Sequence, residues 1–170
     1  MFGWFKPKPA PEGPATLQAG VDVEVSADTL FGLVNFADPR CWKRDVGTVE
    51  AVAPGRFRME LDMLPGVTFT MVVSEAEPGR LYAFESQMTP RQGRLVHCHE
   101  SYAITPTGAE SCHVALETQV RFEDGLTRRE WQREVEMMGR AVQMALAKLK
   151  VHAEFGVEPI REIEHYQKVA

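Results

Sequence analysis

The sequence predicts an α+β domain in which a seven-stranded antiparallel sheet wraps around one long C-terminal helix, with two short helices after the first strand. Two observations carry this reading. Residues 127–155 place Trp131, Val135, Met138, Val142, Ala145, Leu146 and Leu149 at steps of three and four, which puts them on one face of an α-helix. Residues 46–123 form a run of strand-like segments broken by turn signals, with no helical period among them, and uninterrupted hairpins make an antiparallel sheet. A helix of that length runs roughly 40 Å and cannot leave its apolar face in water, so the sheet is its partner.

Each element has its own signal. Residues 17–25 alternate, with Val21, Val23 and Val25 on one face. Ser26 caps a short helix over 27–36, and Asp38 with Pro39 opens a second helical turn that contains Trp42. Pro-Gly pairs at 54–55, 65–66 and 78–79, a loop over 89–93 and Thr107 with Gly108 separate six strands, expected at 46–53, 56–63, 67–75, 81–88, 94–104 and 111–122. Thr127 and Glu130 form a capping box for the long helix, and Gly156 and Pro159 stop it. Folding each hairpin at its turn brings one apolar set from every strand onto a continuous face.

The bounds exclude several classes. The chain has 170 residues, 44% hydrophobic and 25% charged, and carries a net charge of −5, which argues against a nucleic-acid binder. No apolar run is long enough to span a membrane, and the opening MFGWFKPKPAPEGPA lacks an apolar signal region. Cys41, Cys98 and Cys112 form no C-x-x-C pair and fit reduced thiols, which predicts a cytoplasmic protein. No P-loop, dinucleotide fingerprint or G-x-S-x-G is present, so no cofactor is expected. Residues 1–16 are expected to be a mobile proline-rich segment despite Phe2, Trp4 and Phe5, residues 17–155 the domain, and residues 156–170 a tail whose residues 160–169 form either a further short helix or an arm onto a neighbour.

The VDVEVSADTLFGLVNFADPRCW opening, the YAITPTGAESCHVAL hairpin and the final helix together resemble the START-like helix-grip superfamily, also called SRPBCC. That superfamily includes pollen-allergen proteins, polyketide cyclases and lipid-transfer domains. The resemblance covers residues 17–155. It implies that the sheet bends around the long helix and leaves an apolar cavity between them, and it supplies no shared catalytic motif.

The inward set is rich in methionine and aromatic residues, and methionine adapts to irregular ligands. The expected binding residues are Met59, Phe69, Met71, Tyr82, Phe84, Glu100, Tyr102, Trp131 and Met138. Glu100 stands out, because alternation places a carboxylate on the inward face between Cys98 and Tyr102. Hairpin arithmetic puts Tyr82 opposite it on one side and Leu116 on the other, making Glu100 and Tyr82 the candidate acid/base pair. The other reading of Glu100 is a carboxylate at a strand end, solvated or paired with an arginine. His97, His99 and His113 lie on the outer face, too far apart along the strands for a metal site, so no metal is expected.

Three functions remain open. The first is binding of a hydrophobic small molecule or lipid in the cavity, the second a polyketide cyclase-like enzyme using Glu100 and Tyr82, and the third a non-catalytic accessory subunit of an oxidoreductase or other complex. Counting 100° per residue along the long helix puts Met137, Met144 and Val151 on its far side, flanked by Arg133, Arg140 and Lys148. That stripe is a candidate homodimer or partner contact, to be weighed against ordinary scattered surface apolar residues.

Overall fold

The computed structural model describes residues 8–169, with side chains through residue 166. Phe2, Trp4 and Phe5 lie outside the described residues. The elements follow in the order β1 (Ala15–Val23), α1 (Ala27–Val34), a 3-10 turn (Trp42–Asp45), β2 (Gly47–Ala53), β3 (Arg56–Leu61), β4 (Thr68–Glu77), β5 (Leu81–Thr89), β6 (Leu95–Gly108), β7 (Ser111–Phe122), α2 (Arg128–Phe155) and α3 (Glu158–Val169). The seven strands form one antiparallel sheet in the order β1-β7-β6-β5-β4-β3-β2. The predicted α+β helix-grip architecture, a sheet around a long C-terminal helix with short helices after the first strand, is the one observed.

Local chemistry explains the boundaries. Ser26 Oγ accepts from the Thr29 amide at 3.2 Å and starts α1. At α2 the capping box is complete: the Glu130 amide donates to Thr127 Oγ1 and the Thr127 amide donates to Glu130 Oε2. Gly156 ends α2 at φ 83°, a backbone conformation that side chains resist. Gly47 serves a different need, since a Cβ there would lie 2.1 Å from the Glu60 carbonyl oxygen of the neighbouring strand. Within the proline-rich opening, the amide of Ala10 donates to the Leu126 carbonyl and the amide of Arg128 to the Lys8 carbonyl.

The main core lies between the inner sheet face, α1, the 3-10 turn and the C-terminal half of α2, with Leu30, Met71, Tyr82, Val114 and Leu149 almost fully enclosed. A smaller cluster of Ala15, Cys98, Val120, Phe122 and Leu126 sits under the start of α2, with Trp131 against it.

Two expectations about the outer face of α2 are corrected. Met137 and Met144 are exposed, at 48% and 43%, but Val151 packs against the main core, because the end of α2 is enclosed on more sides than its start. Lys148, expected to flank the exposed stripe, is 5% exposed: α3 folds back over this part of α2, and Glu164 Oε1 accepts from Lys148 Nζ at 3.0 Å.

Candidate functional site

The site is built on β6, where strict alternation turns Cys98, Glu100 and Tyr102 inward and His97, His99 and Ser101 outward. Tyr102 Oη donates to Glu100 Oε2 at 3.0 Å, and the Cys98 thiol approaches Glu100 Oε1 at 4.0 Å. The part of Glu100 that remains accessible faces two adjoining compartments of a cavity between sheet and α2. One, of about 120 Å³, runs beneath Trp42, Lys43, Met59 and Met71; the other, of about 230 Å³, is bounded by Leu64, Met88, Leu95 and Met138. Phe69, Ser86 and Glu100 line both, which puts the carboxyl at their junction.

The wall opposite β6 comes from the 3-10 turn. Arg44 pins it by donating to the carbonyls of Val49 at 2.7 Å, Phe36 at 2.8 Å and Asp38 at 3.3 Å. Trp42 is thereby held 4% exposed, its ring 6.1 Å from that of His152, whose Nε2 lies 2.8 Å from Asp45 Oδ2. Lys43 follows, with Nζ 3.9 Å from the centre of the Trp42 ring. Aromatic packing closes the floor, with Phe84 4.8 Å from Phe36 and 6.4 Å from Tyr102 between ring centres.

Burial sets the electrostatics. Loss of water raises the Glu100 pKa above its ordinary value, and the charge of Lys43 and the Tyr102 hydrogen bond partly offset this. The Lys43 ammonium is held below its usual range by burial, with Glu100 acting the other way. Burial pushes the Cys98 thiol up to about 12, helped by the Glu100 charge, which leaves it unreactive as a nucleophile at neutral pH. The carboxyl in this space whose proton burial helps to retain is Glu100, with Tyr102 as its fixed partner and Lys43 facing the same compartment.

Of the residues expected to form the site, Met59, Phe69, Met71, Phe84, Glu100 and Tyr102 line the compartments, as does Met138. Tyr82 is a correction. The register pairs Phe84, not Tyr82, with Glu100, and Thr118, not Leu116, on the other side. Tyr82 is 1% exposed, its hydroxyl accepts from the Phe36 amide at 3.0 Å, and it belongs to the packed core beside the cavity. Trp131 is a second correction, since it lies over the smaller cluster and lines a groove along residues 9–13 instead. Trp42, Lys43, Ser86 and Ala145 were not expected in the site. The histidines of the outer face each have a separate neighbour, Glu85 for His97, Ser74 for His99 and Asp22 for His113. Among the described residues no group of His, Cys, Asp and Glu is arranged to hold a metal ion, and no helix is long and apolar enough to cross a membrane.

Residues 14–154 match the family model described as polyketide cyclase/dehydrase and lipid transport. The chain belongs to this family. The match takes in every strand and nearly all of α2, so the cavity lies wholly within the polyketide cyclase/dehydrase and lipid-transport region. Among curated proteins, no sequence matches significantly. Among solved structures, the chain is similar to DynU16, a putative protein of the dynemicin biosynthetic locus, with 20% identity, a TM-score of 0.62, and coverage of 86% of this chain and 49% of that one. It is also similar to the di-domain ARO/CYC BexL, with 18% identity, a TM-score of 0.63, and coverage of 85% and 46%. The chain thus spans about half the length of these two proteins. The Zhui aromatase/cyclase from Streptomyces sp. R1128 matches at 14% identity and a TM-score of 0.59, with coverage of 84% and 97%. At these identities the likeness is one of fold.

Proposed function

We propose that the protein binds a compact hydrophobic small molecule in the cavity between sheet and α2, with the polar end of the ligand at Glu100 and Tyr102. The observation that carries this reading is the pair of adjoining compartments, lined mostly by apolar side chains, with Glu100 and Ser86 at their junction and Lys43 and Tyr102 in the smaller one. Their volumes set the scale. An engineered apolar cavity of about 150 Å³ takes benzene, so compartments of about 120 and 230 Å³ suit one or two fused rings better than a long acyl chain. Membership of a family that includes lipid-transport proteins agrees with binding without turnover.

An environment-sensitive apolar dye should bind the folded protein and be displaced by naphthalene-sized compounds. Ala145 lines the smaller compartment from α2, so Ala145→Leu should weaken dye binding while leaving the circular dichroism unchanged. Dye affinity untouched by both Ala145→Leu and Phe69→Trp would sink the reading.

A second reading has one specific observation behind it, the 3.0 Å Tyr102–Glu100 hydrogen bond inside an apolar space. On this reading the protein is a cyclase-like enzyme in which Glu100 moves the proton and Tyr102, in place of Tyr82, positions it. Glu100→Gln would then abolish turnover of a reactive poly-carbonyl compound while sparing dye binding.

A further inference from the structure

We propose that Lys43 makes this cavity a receptor for the carboxylate of a compact ring acid. The inference rests on the cavity reading above and adds the chemical class of the ligand.

The first ground is the position of the ammonium. Lysines near a surface ordinarily extend their stems until the charged head reaches water. Lys43 instead lines the smaller compartment and lies over the Trp42 ring, on a turn fixed by three hydrogen bonds from its neighbour Arg44. Its Nζ makes no hydrogen bond or ion pair to a described residue. Lys43 is half-buried, and an ammonium has three N–H donors, which here face the open space of the compartment, where a ligand acceptor can meet them. The buried Lys148 shows the usual solution, with Glu164 at 3.0 Å. An aromatic face provides part of the compensation for Lys43 but accepts no full hydrogen bond.

The second ground is the state of the opposite wall. Glu100 lines the same compartment, yet its two oxygens are already engaged by Tyr102 and Cys98, and it forms no ion pair with Lys43. Burial favours its neutral form. A ligand carboxylate between them would accept from Lys43 and, as a neighbouring negative charge, favour the neutral form of Glu100 further. The loaded site then holds one cation and one anion. An amine ligand would meet Lys43 as a like charge, and a neutral ring would leave the ammonium donors unmatched. The other titratable groups acting on this pair are Cys41 beside the turn, Cys98, His99 and Tyr102 on β6, and Lys148 and Glu164 from α2 and α3.

The test compares 2-naphthoate with 2-naphthamide, which differ in charge and hardly in shape, by titration calorimetry at pH about 7, where the carboxylic acid is ionised. A charge-assisted hydrogen bond in this setting corresponds to roughly tenfold or more in affinity. Wild type should therefore bind 2-naphthoate at least about tenfold more tightly than 2-naphthamide. Lys43→Met should erase the preference while keeping the affinity for 2-naphthamide, which also reports that the cavity is intact. Lys43→Arg should restore most of the preference. Equal affinities in wild type, or a preference that survives Lys43→Met, would overturn the proposal and leave the apolar cavity standing. Failure of both naphthalene probes with the apolar dye still bound would also overturn it; failure of the dye as well would remove the cavity reading with it.

Discussion

In the C-terminal half of α2, Val142, Leu146 and Leu149 are buried, with Leu149 1% exposed, whereas in the N-terminal half Trp131, Val135 and Met138 stay half exposed. The two halves carry the same apolar period. What differs is what mainly lies across from them: densely packed side chains of β1, α1 and α3 in one case, with Ala145 alone reaching the smaller compartment, and the larger compartment and the smaller cluster in the other. A helix can therefore act as a stability element at one end and as a ligand-facing wall at the other, and periodicity alone does not distinguish the two roles. The most direct way to break the comparison is to truncate both halves. Leu146→Ala should cost about 3 kcal/mol, because the close packing cannot collapse into the space left. Met138→Ala should cost only about 1 kcal/mol, since much of that side chain is already accessible. Denaturant unfolding measures both; equal costs would mean that the N-terminal half is packed as tightly as the C-terminal half.

The buried ion pair gives the next largest effect and concerns why the C-terminal half is the enclosed one. Glu164→Gln removes the charge facing Lys148 while keeping the shape, and should destabilise by about 2 kcal/mol. The loss should concentrate in α3, seen as faster amide exchange over residues 158–166 with little change at the sheet. Uniform acceleration throughout would show that α3 is not a separately docked unit.

Much of the fold was legible in the sequence, and the reason is geometric. Strand alternation has a period of two, so a pairing error of two residues leaves every side chain on its proper face. That is what occurred at β5–β6 and β6–β7: Glu100, Tyr82 and Leu116 all face inward, but the register places Phe84 and Thr118, not Tyr82 and Leu116, beside Glu100. The turn of the second hairpin falls at residues 109–110, later than the expected Thr107 with Gly108, which accounts for the offset there. Faces survive such a slip and neighbours do not, which is why the cavity wall was readable and the partner of Glu100 was not. Lys43 and Lys148 were illegible for another reason. A lysine in a short turn or on a polar helix face reads as solvated, and only the tertiary arrangement, Arg44 holding the turn and α3 covering the helix, turns these two inward.

The two inward tyrosines offer a smaller and sharper contrast. Tyr82→Phe removes the acceptor of the buried Phe36 amide and should cost about 1 kcal/mol of stability without altering ligand binding. Tyr102→Phe should change stability less, because the carboxyl it serves faces the cavity, and should weaken the binding of a polar-ended ligand. The reverse pattern, with binding sensitive to Tyr82 and not to Tyr102, would move the site away from Glu100.

The smallest effect at any one pH is expected at Glu100, where the charge of Lys43 and the Tyr102 hydrogen bond offset part of the penalty of burial. Its sign is still fixed. Below about 4.5, the ordinary value for the group, folded and unfolded chains both hold the proton and Glu100 adds no pH dependence. As pH rises past that value the unfolded chain releases the proton while the folded chain, its carboxyl raised by burial, keeps it. Stability therefore falls with rising pH, with a slope of at most about 1.4 kcal/mol per unit, until the folded value is passed and the slope ends. Glu100→Gln keeps the shape, cannot ionise, and should lose that slope. Tyr102→Phe should extend the sloping region upward, because it removes a hydrogen bond that favours the carboxylate. Denaturation midpoints of the three proteins, measured from acid to neutral pH, decide the matter. If wild type and Glu100→Gln run parallel, Glu100 is solvated as an ordinary surface carboxylate. The polar end of the cavity would then rest on Lys43 alone, and the contrast between the packed and the ligand-facing halves of α2 would lose its chemical half.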